Sequence, residues 1–338
     1  MSRKPPTMAD IAKAIGVSPM TVSRAFKSDS SVSQETREAI LRAAEDLGYV
    51  FDSTAANLRS QKTDFVAVTI PSINNANFAE TVRQLSDGLS RRGLQILLGY
   101  TNYDILEEER LVEQLLRRKP QAIVVTGGRH TPRARKLLSN AGIPVVETWD
   151  LPEQPIGHVV GFSNTLAIGE MVRHFADAGY RRIAFIGGDA DNDTRGTERR
   201  AGFVAAMQAA GLDASRLIAC GAPPIGMREG AVAMAHLLQS LPDTEAAICV
   251  SDLSAFGALT ECQRRGIRVP QDMALGGFGN YDIGAICVPT LTTINAFAGD
   301  IGAKTAELIG DVLEGRFEPG LPQTIRFTPV LIGRESSR

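Results

Sequence analysis

Four cysteines and four histidines in 338 residues leave little material for metal or thiol chemistry. Cys220, Cys249, Cys262 and Cys287 form no CxxC pair, and three of them sit in apolar segments, as reduced core cysteines do. His130, His158, His174 and His236 make no HxxxH or HExxH pair, so no metal site is expected. No apolar run approaches the ~20 residues of a membrane span. The opening MSRKPPTMADIAKAIG is basic but lacks the apolar stretch of a signal peptide, which points to a cytoplasmic chain without a membrane partner. Walker A and GxSxG motifs are also missing, and Ile186-Gly187-Gly188-Asp189 does not fit GxGxxG. With no Ser/His/Asp set either, no catalytic residue and no cofactor are expected, and an enzyme is disfavoured.

What is present is an uneven chain. The net charge of -2 hides a split: residues 1 to 62 carry 9 Lys/Arg against 7 Asp/Glu, net +2, and the remaining 27 basic and 31 acidic residues give -4. A mildly basic N-terminus on a neutral body is compatible with a nucleic-acid-facing head. Residues 7 to 48 read as three short helices. From Phe65 onward apolar runs (65–70, 94–99, 121–126, 144–148, 158–162, then 181–188, 216–220, 246–250, 273–278) alternate with amphipathic helical stretches. Such near-continuous runs indicate parallel strands covered on both faces, hence an α/β body of doubly wound sheets. The break near 161 to 165 suggests two lobes. After Thr290 a crossover, a helix from about 297 to 314 and a final strand are expected.

The segment 8-MADIAKAIGVSPMTVSRAF-26 meets the needs of a helix-turn-helix. Ala12 is the small residue between helices, Gly16 the turn, and Val22 the buried aliphatic of the second helix. Ser18 and Pro19 suit the N-cap and first position of that helix. Pro19, Met20, Thr21, Ser23 and Arg24 are then placed to reach base edges or phosphates. A generic three-helix interaction module shares this spacing and is the alternative.

The continuation 33-SQETREAILRAAEDLGYVFDSTAANLRSQKT-63 decides between them, because TMADIAKAIGVSPMTVSRAF, SxxTRxxILxAAxxLGY and the following AxxL together resemble lactose-repressor-type (LacI/GalR family) regulators. The resemblance implies a DNA-binding head over 1–52, a hinge helix or linker over 53–63, and a two-lobed periplasmic-binding-protein-like body over 64–338 that binds ligand and dimerises. It adds Thr7 to the expected DNA contacts. It also implies that Leu58, beside Ala55, wedges into the minor groove, where unstacking one step costs a few kcal/mol and is offset by contacts on the bent duplex. Asp52 stands where the family usually has Pro-Asn and often a basic residue. Pro19 and Met20, at the positions that set operator preference in the family, offer no bidentate hydrogen bond, which leaves specificity to van der Waals contact, Ser23, Arg24, the hinge and DNA shape.

In a two-lobed body the ligand is expected between the lobes, at the carboxyl ends of the strands. That rule selects residues 72–78, 126–130, 149–150, 162–164, 195–200, 251–252 and 278–282, among them Ser72, Asn77, Phe78, Thr126, Arg129, His130, Trp149, Phe162, Asn164, Asp252, Asn280 and Asp282. Within 195–200 the resemblance singles out an arginine from R-x-A-G-F, read as Arg199, with Arg195 and Arg200 left open. At 277-GFGNYDIG-284 an acid common in sugar-binding relatives is missing. Its loss beside Arg129, His130 and Arg199 shifts the site toward an anion. PSxxNxxFAE, HTPR, VGFxN and DLxAxGAxxECQRxGxxVPxDMAxxGF further resemble the gluconate-operon repressor subgroup. The implied protein is a repressor that binds near-palindromic operator DNA as a homodimer and is released by a gluconate-like sugar acid. The alternatives are a neutral sugar as effector and a non-regulatory sugar-binding protein. The helix near 78–92 is the expected interface, and the absence of a leucine-rich helix after GRESSR favours a dimer over a tetramer.

Overall fold

The computed structural model describes residues 5–26, 31–51, 63–318 and 320–337. Contacts divide the chain into Met1–Lys62 and Thr63–Arg338. Ala55 and Leu58, and with them most of the expected hinge, lie outside the described residues.

The head contains α1 (Met8–Ile15), α2 (Pro19–Ala25) and α3 (Gln34–Leu47). Each begins with a polar cap. Asp10 accepts hydrogen bonds from the backbone N–H and hydroxyl of Thr7, and the Ser18 and Ser33 hydroxyls accept from Thr21 and Thr36 N–H. Gly16 closes α1 in the left-handed conformation, φ 73°, which glycine adopts without strain. Ile11, Ala12, Val22, Ala25, Ile40 and Ala44 form the core, the motif's small residue Ala12 and its buried aliphatic Val22 among them.

The body holds two parallel sheets. The first, in order β11-β5-β4-β3-β1-β2, comprises β1 (Phe65–Ile70), β2 (Gln95–Tyr100), β3 (Ile123–Thr126), β4 (Val145–Thr148), β5 (His158–Gly161) and β11 (Thr324–Arg326). The second, in order β7-β6-β8-β9, comprises β6 (Ile183–Ile186), β7 (Leu217–Ile218), β8 (Ala246–Cys249) and β9 (Ala274–Gly276). β4, β6 and β8 are buried along their whole length, as expected, whereas the edge strand β2 is exposed or half-buried throughout and is not covered on both faces. Period-2 alternation sends Ile183 and Phe185 to the core shared by the lobes, and Ala184 and Ile186 to the outer core.

The end of the chain departs from expectation. Residues after Thr290 supply three strands rather than a single final one. β11 returns to the first sheet beside β5, while β10 (Thr293–Asn295) pairs antiparallel with β12 (Val330–Ile332). The chain therefore passes between lobes three times, near 162–164, 296–298 and 327–330. The helix α12 (Ala298–Leu313) belongs to the first lobe and packs on α4 (Ala76–Ser90), where Thr81 Oγ1 donates to Ala298 O at 2.8 Å. The helix near 78–92 is therefore not the exposed apolar surface that was expected. Its apolar stripe, Phe78, Leu85 and Leu89, is buried within its own lobe, and Glu80, Arg83 and Asp87 occupy its outer face.

The α4–α12 contact is tight enough to exclude side chains. A Cβ on Gly302 would collide with the Thr81 carbonyl, a backbone atom that cannot move aside. Gly302→Ala is expected to lower stability by about 2 kcal/mol, read as a lower denaturation midpoint; an unchanged midpoint would contradict the packing described.

Candidate functional site

In each sheet the strand order reverses between the first strand and its two neighbours, which opens a crevice at the carboxyl ends. Both crevices face the same cavity. From the first lobe it is lined by Asn75, Asn77 and Phe78 after β1, Tyr103 after β2 and Trp149 after β4. From the second come Asp193, Arg195 and Arg199 after β6, Pro223 and Ile225 after β7, Val250 and Ser251 after β8, and Phe278 and Tyr281 after β9. Tyr103 and Trp149 adopt the left-handed region, φ 59° and 74°, as does Asn280 beside Tyr281, φ 55°. Bulky residues are strained there, and such strain concentrates at functional sites.

Arg195 and Arg199 lie one turn apart on α8 (Thr194–Ala209), so both guanidiniums leave the same helix face. Asp193 caps that helix by accepting from Gly196 N–H at 3.0 Å. Arg199 is buried: Nε donates to Asn164 Oδ1 at 2.9 Å, Nη1 donates to Val250 O at 2.8 Å, and its Cζ lies 3.6 Å from the centroid of the Phe278 ring. Burial lowers its pKa to about 10, against the pull of Asp193, so it stays a cation at neutral pH. Arg195 lies over Phe78 at 5.4 Å and approaches Asp150 Oδ2 at 3.9 Å. Arg200 instead donates to Gly187 O at 3.3 Å and does not line the cavity.

Other expected residues stand behind this lining. Asn164, fully buried, links the lobes: its amide donates to Asp150 Oδ1 at 3.2 Å while its oxygen receives Arg199. Phe162 packs between Trp149 and Phe278. Asp252 begins α10 (Asp252–Arg264) and accepts from Thr293 Oγ1 at 2.6 Å and Tyr281 N–H at 2.8 Å, fixing the loop that carries Tyr281. Tyr281 Oη in turn donates across the cleft to Asn75 Oδ1 at 2.9 Å.

A further group is not brought to the cavity at all. Asn280 Oδ1 accepts from Arg334 at 2.6 Å, and Asp282 is exposed at the start of α11 (Asp282–Ile286). Ser72 accepts from Asn74 N–H, and Thr126 donates to Thr69 O. Arg129 Nη1 donates to Asp191 O at 2.9 Å, and neither residue lines the cavity. His130 is walled in by Glu108 and Glu147; burial works to lower its pKa, but the two carboxylates prevail and raise it to about 9. The positive charge of the cavity thus comes from Arg195 and Arg199, not from Arg129 or His130. Sequence reasoning passed over Tyr103, Asp193, Pro223, Ile225 and Val250. Tyr103 follows the strand at 94–99, so the strand-end rule carried past that run points to it.

On the head, Met20 is 56% exposed and Pro19 and Arg24 are exposed along one side of α2, while Thr21 and Ser23 are half-buried beside Val22. Ser18 and Thr7, both exposed, spend side-chain oxygens on capping.

A helix-turn-helix head with a cleft-bearing body is the architecture of a DNA-binding regulator. Residues 7–52 match bacterial regulatory proteins of the lacI family, and residues 172–337 match the periplasmic binding protein-like domain. The chain is 34% identical to the HTH-type transcriptional regulator GntR of Pseudomonas aeruginosa, over 92% of this chain and 90% of that one. A LacI-family regulator structure from Silicibacter pomeroyi covers 99% of this chain and 100% of its own at 32% identity and TM-score 0.91. A transcriptional regulator CelR–cellobiose complex is similar at 28% identity and TM-score 0.71, over 98% and 99%. The chain belongs to the LacI family of bacterial transcriptional regulators, which are DNA-binding proteins and not enzymes.

Asp252 links the stability of the body to pH. Burial raises its pKa to about 6, opposed by the Thr293 and Tyr281 hydrogen bonds. A buried acid raised in the folded state binds its proton more tightly there than when unfolded, so its contribution to stability falls as pH climbs from about 4 to 6 and is flat above. The stability difference between wild type and Asp252→Asn is expected to move toward the variant by about 2–3 kcal/mol across that window, measured by denaturant titration; a pH-independent difference would refute it.

Proposed function

We propose that this chain is a repressor that binds a near-palindromic operator in the cytoplasm as a homodimer and is released by a small sugar acid such as gluconate. The observation that carries the effector class is the charge of the cavity wall, two guanidiniums against the single carboxylate of Asp193. Among the described residues Arg199 makes no ion pair; its two hydrogen-bond acceptors are neutral. A ligand carboxylate would supply the missing counter-charge, and in a water-poor site charge-assisted hydrogen bonds are about twice as strong as neutral ones. Phe78, Trp149, Phe278 and Tyr281 provide apolar faces for the carbon chain. Because both lobes contribute to the cavity, occupancy favours one arrangement of the lobes over another, which is what a ligand must do to alter operator affinity.

A neutral sugar is the second reading, favoured by those aromatic walls and by the cellobiose complex of the relative described above. A gel-shift titration on the gene's own upstream DNA, with gluconate, 2-ketogluconate, glucose and ribose, separates the two. Release by the acids at lower concentration than by the sugars is expected; the reverse order would discard the sugar-acid reading. Arg199→Ala is expected to weaken gluconate by about 2–5 kcal/mol, seen in calorimetry.

The homodimer is supported by apolar side chains left on the body surface. β2 is an open edge strand with Leu98 and Tyr100 exposed. On the second lobe Met227 and Val232 of α9 (Met227–Ser240) line an apolar furrow with Phe256. Leu98→Glu combined with Val232→Glu is expected to give a folded monomer by analytical ultracentrifugation with greatly weakened operator binding; a persisting dimer would place the interface elsewhere.

A further inference from the structure

Trp149 is the chain's only tryptophan and carries two unexplained features at once. It is 2% exposed, yet its indole Nε1 has no hydrogen-bond partner among the described residues. A buried N–H left unpaired costs about 1–3 kcal/mol. Its backbone stands at φ 74°, a conformation in which a bulky L residue is strained. Neither feature is forced by a loose surrounding. Trp149 N–H donates to Val160 O at 3.1 Å, and its carbonyl accepts from Asn164 at 3.4 Å. Its ring is held edge-on between Phe78 and Phe162, at centroid distances of 5.2 and 5.8 Å. The surroundings hold the ring in one place at a cost to the protein alone.

The other unpartnered buried side-chain atoms do not share this setting. His130 Nε2 and Glu147 Oε1 face each other at 3.4 Å, and Thr69 and Arg216 lie away from the lining. Trp149 alone among them lines the cavity between the lobes.

We propose that the Trp149 indole N–H is a donor reserved for the effector: it selects ligands that place an acceptor oxygen beside it while their carboxylate engages Arg195 and Arg199. The proposal rests on the sugar-acid reading and deepens it, by fixing a second polar contact that the effector must make. A site whose buried donor is paired only by the right ligand rejects analogues that lack the acceptor more strongly than an apolar wall can. The contact is a specificity determinant.

Because the tryptophan is unique, the wild-type protein gives a single indole N–H resonance in a nitrogen-15 correlated spectrum. On saturation with gluconate that resonance is expected to move downfield and to exchange more slowly with solvent. A resonance that neither shifts nor gains protection overturns the proposal. In parallel, Trp149→Phe keeps the ring and removes the donor. Its gluconate dissociation constant, by calorimetry on the full chain, is expected to rise about tenfold. The thermal midpoint of the ligand-free variant should equal or exceed the wild type, since an unpaired group has been removed. Unchanged affinity with an unchanged midpoint would mean that the donor is not used by the ligand, and overturns the proposal. If wild type instead binds only a neutral sugar of the panel, the sugar-acid reading fails. The indole resonance with that sugar then decides on Trp149 separately.

Discussion

The body is organised around one buried cation. Arg199 lies on α8, and its guanidinium is committed in three directions: to Asn164 at the first passage between lobes, to the Val250 carbonyl at the end of β8, and to the Phe278 ring after β9. Removing a guanidinium from water is expensive, so the surrounding polar groups must be fixed to keep it charged. Asn164 can serve only because its amide is anchored on Asp150, and Phe278 only because Asp252 ties the adjoining loop to Thr293 and Tyr281. The carboxyl ends of both sheets are thus positioned by requirements that converge on a single side chain.

This arrangement explains how a binding site can also be a coupling device. The contacts that steady Arg199 run through segments crossing between lobes: Asn164 at one passage and Thr293, on β10, just before another. Tyr281 reaches over to Asn75, which at the same time caps α4. A ligand that engages the arginine perturbs a network already shared by both lobes. Coupling of that kind is a difference in free energy between arrangements, and needs no separate relay through the sheets.

The acidic groups near the cation follow the same logic. Asp150 is fully buried, and burial raises its pKa against the pull of Arg195. Glu198 is pushed to about 6 by burial and by Asp150. Neither lines the cavity, so the wall itself stays positive.

Much of this was legible in the sequence, for a definite reason. Helix caps, the Gly16 turn and the period-2 or continuous apolar runs are local signals, and Ala12, Gly16, Val22 and the strands β1 to β9 fall where those signals put them. The strand-end rule likewise led to Phe78, Trp149 and Arg199. What the sequence could not determine is which side chain at a strand end turns into the cleft and which is claimed by a neighbour. His130 goes to Glu108, Asn280 to Arg334 and Arg200 to Gly187, all partners remote in the chain. The same holds for the last strands, which divide between two sheets. Those outcomes depend on contacts between segments tens to hundreds of residues apart, and only the assembled lobes bring such segments together.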